Sequence, residues 1–539
     1  MTNPRPVRRR INIVVIDTDS RRTGLGAIVG VLTAAVAIGV AQLVAGLVGA
    51  NSSPVVAVQE VSVNFTPPAL KNFAISAFGA NDKLVLLCGV LVALALFAAL
   101  IGVEATRRLD FGLAGLVVFA LIGIVAAITR PHASAAAVLP TLIGAAAGAG
   151  ALVLLLRAAQ PAGAQLPPGE HRSRTAGSAP ALAGHERRRF LVTGAAAAGT
   201  AAVTGFGGRL LSERTNVTQA QKSLRIPPPT AQAPPLPAGA DLNIPGLSPF
   251  ITPNGAFYRV DTAIVLPEVA PASWQLRIHG MVSREINLTF DQLIRRPLTE
   301  DYITLTCVSN PVAGPYVGNA RWLGASLASL LREAGVRAGA DQLLCTSADG
   351  FTSGAPLLTA IDGRDAMLAV AMNGSVLPVE HGFPVRMVIP GLYGYVSACK
   401  WITDIEVTTF AANSAYWAQR GWDQQAPIKT ESRIDVPTGQ NPVRAGRTSV
   451  AGVAWAQHKG IEAVEVRVDR GQWQQARLAA VPDIDTWRQW VWQWDTTPGS
   501  HVIEARATDA TGYTQTALQA PPEPNGASGY PSVSVMVSS

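Results

Sequence analysis

The stretch Tyr302-Ile303-Thr304-Leu305-Thr306-Cys307-Val308-Ser309-Asn310-Pro311-Val312-Ala313-Gly314 decides how this chain is read. Tyr302 to Thr306 alternates side chains with the two-residue period of a β-strand, and the strand stops at Cys307. A polar loop with Pro311 and Gly314 follows, suited to a site at a strand end and poorly suited to a packed core. A cysteine without context is a small buried hydrophobe. At this strand end its thiolate is a candidate nucleophile or soft metal ligand. No His and Asp stand at a papain-like spacing from it, so the nucleophile reading is the weaker supported of the two.

Outward from Cys307, short strands mix with helices. Trp274–Gly280, Gln342–Ser347, Val385–Pro390 and Trp401–Thr409 read as strands. Thr289-Phe290-Asp291-Gln292 has the form of a helix capping box, and Ser326–Ala334 reads as a helix closed by Gly335. An α+β domain over 241–425 follows. Beyond it, Val464–Asp469 alternates cleanly, Arg470-Gly471 turns, and Trp487–Trp494 and His501–Ala507 give further strands. Residues 426–539 are therefore expected to form an immunoglobulin-like β-sandwich without its cysteine pair.

The N-terminal part is of another kind. The 539 residues carry a net charge of +7, only 15% charged residues and a mean hydropathy of +0.25, which excludes a single small water-soluble domain. The 48% apolar content excludes disorder throughout, and four cysteines exclude a disulfide scaffold. Leu25–Gly49, Leu84–Val103, Phe111–Ile128 and Ala135–Leu156 are long and apolar enough to cross a bilayer, and Phe190–Gly207 is a fifth, weaker span. Residues 1–211 thus read as a membrane domain. Arg5, Arg8, Arg9, Arg10, Arg21 and Arg22 precede the first span, Arg107 and Arg108 follow the second, and Arg157, Arg172, Arg174 and Arg187–Arg189 follow the fourth. The loop Ala50–Lys83 has only Lys71 and Lys83 against Glu60 and Asp82. The positive-inside rule puts the arginine-rich flanks in the cytoplasm and the C-terminal half outside the cell membrane. Arg187-Arg188-Arg189-Phe190-Leu191 resembles a twin-arginine export signal; the alternative is a basic flank on an ordinary fifth helix. Residues 212–240, with Pro227-Pro228-Pro229, Pro234-Pro235 and Pro237, read as a semi-extended stalk.

Two ordered blocks carry a family resemblance. One is Thr304 to Asn310 with Gly318-Asn319-Ala320-Arg321-Trp322-Leu323-Gly324. The other is Met372-Asn373-Gly374 through Glu380-His381-Gly382-Phe383-Pro384-Val385-Arg386, then Pro390-Gly391-Leu392-Tyr393-Gly394 and Ser397-Ala398-Cys399-Lys400-Trp401. Together they resemble the molybdenum-binding segment of the sulfite oxidase family. The resemblance implies a molybdopterin cofactor with molybdenum and makes Cys307 its protein ligand. His381, Arg386, Ser397 and Lys400 become cofactor contacts, with Thr352 or Ser353 as further candidates; His381 is expected to hydrogen-bond the pterin rather than bind metal. Arg386 offers a planar fork, Lys400 a point charge and Ser397 a hydroxyl to the cofactor's phosphate. Tyr258 and Arg259 stand where sulfite-oxidising members carry an Arg-Asn-His-like triplet, but no His follows. The C-terminal sandwich resembles the dimerisation domain of sulfite oxidases and implies a possible homodimer.

Departures matter too. Pro311 stands where the family loop brings a substrate-binding arginine, and Ser397-Ala398-Cys399-Lys400 has one extra residue before the lysine relative to export-linked reductases. The cofactor expectation stands; sulfite as substrate is in doubt. Tyr393 and Tyr395 are candidate hydrogen-bond donors to a substrate oxyanion. His279, on a strand, reads as structural, and Cys345 and Cys399 as either a disulfide or separate thiols. The expected function is a membrane-anchored oxidoreductase transferring an oxygen atom or two electrons on a small substrate, sulfite-like or an S- or N-oxide. The alternatives are a reductase of methionine sulfoxide in exported proteins and a cofactor-free scaffold on a membrane anchor. The chain has no Cys-x-x-Cys-His haem motif, so electrons are expected to pass to a quinone or an external cytochrome. Membrane lipid is an expected partner and nucleic acid is not.

Overall fold

The computed structural model describes residues 18–48, 52–65, 82–129, 135–159, 179–214, 217–263, 265–440 and 442–539. The chain divides into two compact units, Met1–Thr215 and Asn216–Ser539.

The first unit is helical: α1 (Thr18–Val48), α2 (Pro54–Phe65), α3 (Asp82–Arg107), α4 (Leu109–Ile128), α5 (Leu139–Ala159) and α6 (Ala179–Arg214). Five of these helices contain stretches long and apolar enough to cross a membrane: Thr23–Val48, Leu87–Arg107, Leu109–Ile128, Ala136–Ala159 and Arg188–Leu211. Small residues let the helices touch. A Cβ on Gly30 would sit 1.9 Å from the Ala98 carbonyl oxygen of α3, and one on Gly102 would sit 2.1 Å from the Gly26 carbonyl oxygen of α1. Large apolar side chains such as Phe97, Leu100, Val203 and Phe206 stay more than half exposed, a surface that water does not favour. The expected fifth span lies inside a longer helix, so Arg188 and Arg189 are helical. Arg5, Arg8, Arg9, Arg10, Arg172, Arg174 and most of the loop Ala50–Lys83 fall outside the described residues.

The second unit opens with α7 (Val217–Ser223). The Pro-rich segment after it corrects the expected stalk: it lies along β3 (Leu298–Thr306). Thr230 and Ala231 donate backbone N–H groups to the Leu298 carbonyl at 2.8 and 3.3 Å, and Glu300 donates to the Ala231 carbonyl at 2.8 Å. Leu224, Ile226 and Ala233 pack on the main core. Prolines forbid a helix here, but the non-proline residues between them keep donors that an open strand edge can use.

Two sheets build the central domain. The first runs β2 (Ile286–Thr289), β1 (Gln275–Gly280), β10 (Ile402–Thr408), β5 (Gln342–Ser347), β6 (Thr352–Pro356), with β1 and β10 parallel. The second runs β3, β4 (Val317–Ser326), β7 (Met367–Met372), β8 (Ser375–Val376), and β9 (Arg386–Val388) pairs with β7. The capping box forms at α8 (Phe290–Ile294): Gln292 N–H meets Thr289 Oγ1 and Thr289 N–H meets Gln292 Oε1. Helix α9 (Leu327–Ala334) ends at Gly335, whose φ of +69° fits a residue without Cβ. The sequence reading assigns no strand to β4, β6 or β7. All six residues of β7 are buried, so the alternation that marks a half-exposed strand is absent.

The C-terminal residues form two sheets. One has the order β11 (Glu431–Val436), β13 (Gly446–Trp455), β17 (Arg488–Thr496), β16 (Arg477–Leu478). The other has the order β12 (Val443–Arg444), β19 (Ser532–Ser538), β18 (Gly499–Asp509), β14 (Ile461–Val468), β15 (Gln474–Gln475). Val450, Ala454 and Trp490 of the first sheet share one core with Val464, Val466, Ile503 and Val535 of the second.

These sheets also brace the strand that ends at Cys307. Gln457 Nε2 donates to the Thr304 carbonyl and to Thr306 Oγ1, each at 3.0 Å. Trp487 N–H donates to Thr304 Oγ1 at 2.7 Å, and Thr304 N–H donates to the Asp485 carbonyl at 3.0 Å. Replacing Gln457 by Ala strands two buried acceptors, so the variant is expected to lose about 1–3 kcal/mol of stability, read as a lowered Tm in thermal unfolding.

Candidate active site

Strand β3 delivers Cys307 to the lining of a cleft with about 930 Å³ of space, part of it open to solvent. The turn beyond it is held by its own backbone. Cys307 N–H donates to the Tyr316 carbonyl at 2.9 Å, Asn310 N–H to the Cys307 carbonyl at 3.1 Å, and Tyr316 N–H to Asn310 Oδ1 at 2.8 Å. Arg433 of β11 donates from Nη1 to the Gly314 carbonyl at 3.1 Å. Cys307 is only 8% exposed, yet its side chain lines the cleft rather than packing wholly among aliphatic neighbours. Burial raises the pKa of its thiol, while hydrogen bonds from Ser309 and the charge of Lys400 pull the other way. Such a thiol ionises when a metal replaces its proton.

Arg386 enters the same cleft from β9. It is 5% exposed; Nη1 donates to the His381 carbonyl at 3.1 Å and Nη2 to the Ala398 carbonyl at 3.4 Å, while Nε has no partner. Its guanidinium lies 4.9 Å from the Trp322 ring centroid, and no carboxylate pairs with it among the described residues. Burial pushes its pKa down to about 10, so the charge persists at neutral pH. A buried cation without a counter-ion is costly and fits a site made to receive an anion.

Lys400 lies beside it because residues 397–402 run along β9: Met387 N–H donates to the Cys399 carbonyl at 2.8 Å and Ile389 N–H to the Ser397 carbonyl at 3.1 Å. Lys400 Nζ bonds Asp261 Oδ2 at 2.9 Å and the Glu380 carbonyl at 3.1 Å; burial lowers its pKa to about 8 against the pull of Asp261. Gly382 permits this crowding. Its φ is +109°, and a Cβ there would lie 2.9 Å from the Arg386 Cβ and 3.1 Å from the Lys400 Cβ. His381, one residue before, is buried and its Nε2 donates to the Asn254 carbonyl at 3.0 Å. Burial and the Arg386 charge push its pKa down to about 4, so the ring is neutral at pH 7.

The cleft gathers Cys307, Tyr258, His381, Arg386 and Lys400, and the ring of Tyr395 forms part of its wall. Tyr258 stacks on Phe257 with centroids 5.2 Å apart, and burial raises its pKa. Five expected site residues do not line the cleft. Arg259, itself not in the lining, pairs at 2.9 Å with Asp261, which is. Thr352 Oγ1 accepts from Tyr416 N–H at 2.9 Å. Ser353 is fully buried beside the Cys345 and Cys399 thiols. Ser397 donates its hydroxyl to the Leu392 and Tyr393 carbonyls at 2.9 and 3.2 Å. Tyr393 turns its hydroxyl to Lys429 N–H at 3.4 Å. Tyr395 spends its own hydroxyl on the Asp423 carbonyl.

Cys345 and Cys399 are separate buried thiols, and His279 Nε2 meets Asp404 Oδ1 at 3.0 Å as a structural pair across β1 and β10. Among the described residues no group of three or more His, Cys, Asp or Glu is arranged to hold a metal. Sequence reasoning missed Asp261, Asp349, Phe351, Trp417 and Trp422 as cleft residues. Only the aromatic density of 416–422 was a signal. Because His381 is neutral when folded and takes a proton near pH 6.5 when unfolded, the unfolded state binds more protons below that pH. Stability is therefore lost as pH falls from about 6.5 towards 4. The expected outcome for His381→Gln is a flatter Tm-against-pH curve over that window.

Comparison with known proteins agrees with this geometry. Residues 263–417 match the family described as oxidoreductase molybdopterin binding domain. The chain is 32% identical over 295 residues to the sulfite oxidase of Gallus gallus, covering 46% of this chain and 63% of that protein. It is 30% identical over 194 residues to the NADH nitrate reductase of Solanum lycopersicum, covering 31% of this chain and 21% of that protein. The solved sulfane dehydrogenase SoxCD from Paracoccus pantotrophus is 24% identical with a TM-score of 0.47, covering 54% of this chain and 84% of that one. The chain thus spans less than two thirds of the curated relatives' length. Residues 263–417, which hold the strand-end cysteine and the buried arginine, thus match a molybdopterin-binding oxidoreductase domain, and over this part the chain is similar to sulfite oxidases.

Proposed function

We propose that the protein is a membrane-anchored, extracytoplasmic oxidoreductase that uses molybdopterin with molybdenum to transfer an oxygen atom or two electrons on a small substrate. The observation that carries this reading is the meeting, in one cleft, of a strand-end thiol and a buried guanidinium whose Nε lacks a partner. Cys307 would hold the metal and Arg386 the cofactor's phosphate, with Lys400 as a nearby point charge steadied by Asp261. His381 stays neutral beside Arg386 and gives its one N–H, on Nε2, to the Asn254 carbonyl, so its Nδ1 can only accept a hydrogen bond and adds no charge that would compete for the phosphate. The bound cofactor supplies the two-electron redox chemistry, and the chain binds, orients and shields it. A cofactor-free scaffold leaves the burial of Arg386 without a physical reason.

Five membrane-length helices and the arginines at their ends support the anchoring and its direction. Arg107 ends α3 and Arg108 joins it to α4, Arg157 stands in the last turn of α5, and Arg188 and Arg189 at the head of the last span. That bias supports an extracytoplasmic location for unit Asn216–Ser539, as does the twin-arginine-like run Arg187–Leu191. In this reading the two C-terminal sheets are an immunoglobulin-like sandwich of the dimerisation type, and electrons leave to a quinone or an external cytochrome.

Elemental analysis of the purified full-length protein tests the core of this. Molybdenum near one per chain is expected in the parent protein. Cys307→Ser should lose it while keeping its thermal unfolding transition, and Arg386→Ala should retain less than the parent. A parent protein that carries no molybdenum would sink the reading.

A further inference from the structure

The wall of the cleft has two different ends. Cys307, His381 and Arg386 are buried, whereas Phe351, Tyr395, Trp417 and Trp422 are only half-buried. The last three form a continuous aromatic strip: Trp417 and Trp422 have ring centroids 6.0 Å apart, and Tyr395 and Trp422 also 6.0 Å. The strip is built, not incidental. A single turn through Gly421, with φ +91°, folds the chain back so that Trp422 N–H donates to the Trp417 carbonyl at 3.2 Å. Arg420 pins the turn by donating to the Tyr416 carbonyl at 2.6 Å with its guanidinium 3.6 Å from the Tyr416 ring centroid.

The charges of the lining point the same way. It carries two cations, Arg386 and Lys400, and two carboxylates, Asp261 and Asp349. Lys400 is already paired with Asp261, which also holds Arg259. On the reading above Arg386 is committed to the cofactor's phosphate, so no unpaired cation of the lining is left for a second anion. The loop after Cys307 offers Val308, Ser309, Asn310 and Pro311 instead of a cation. A small dianion entering this cleft would give up hydration without gaining an ion pair, and would meet the Asp349 carboxylate. A flat uncharged group meets no such penalty and gains ring contact.

We infer that the cleft takes an uncharged substrate carrying a flat apolar group seated on Trp417 and Trp422, and turns away small dianionic oxyanions. This rests on the molybdopterin reading of the site. The test is isothermal titration of the molybdenum-loaded, full-length protein with methyl phenyl sulfoxide, dimethyl sulfoxide and sulfite. Methyl phenyl sulfoxide is expected to bind about three- to tenfold more tightly than dimethyl sulfoxide, the size of one aromatic contact, and more tightly than sulfite. Trp417→Ala and Trp422→Ala should erase the phenyl preference with molybdenum content unchanged, and Trp417→Phe, which keeps a flat ring and guards against misfolding, should retain it. Sulfite binding more tightly than methyl phenyl sulfoxide, no binding of methyl phenyl sulfoxide, or a phenyl preference that survives both alanine variants would overturn the inference while leaving the cofactor reading standing. A protein without molybdenum overturns both.

Discussion

Everything at the site depends on strand β3 being gripped from two sides, so that the chain can end at Cys307 and expose one thiol without letting the strand fray. On one side β4 pairs with it from Leu298 to Thr306. On the other, Gln457, Asp485 and Trp487, from loops that join the C-terminal strands, bond the backbone and hydroxyls of Thr304 and Thr306. These polar threonines are fully buried, which is tolerable only because each contact is satisfied. The C-terminal sheets thus contribute to the site without lending it a lining side chain.

The second constraint is electrostatic. Arg386 is kept charged in a buried place by two carbonyls and the face of Trp322, with no counter-ion of its own. Its neighbour Lys400 is neutralised by Asp261, and His381 is held uncharged by the same burial. One uncompensated positive charge therefore remains at the inner end of the cleft. The half-buried part of the lining is aromatic, so the cleft combines a buried cation with apolar ring faces, a division that follows from where charge can be tolerated.

The helical unit obeys a different balance. Glycines on α1 and α3 bring backbones into contact, while bulky apolar side chains face outward. In water that arrangement would be unfavourable; against hydrocarbon it is neutral, and close packing then drives association. The same residues that make the spans readable by length make their packing depend on the smallest side chains.

Much of the architecture was legible in the chain itself. Long apolar runs can hide their backbone only as helices, and the capping box at Thr289 and the glycine stop at Gly335 are local signals that formed as local chemistry demands. The strand ending at Cys307 was visible for the same reason, since alternation needs no distant partner. Local pattern failed where burial covers both faces, as in β7, and where prolines masked donors that found the edge of β3. It also failed at hydroxyls: Ser397 and Tyr393 stand in the right stretch, but a rotamer and a neighbouring carbonyl or amide, set only on folding, took them out of the cleft. Sequence alone determined which residues could do the chemistry, because reactivity belongs to the side chain. Only the tertiary structure decided which of them share a cavity and which charges remain unpaired, because both depend on contacts between residues more than a hundred positions apart, such as Lys400 with Asp261.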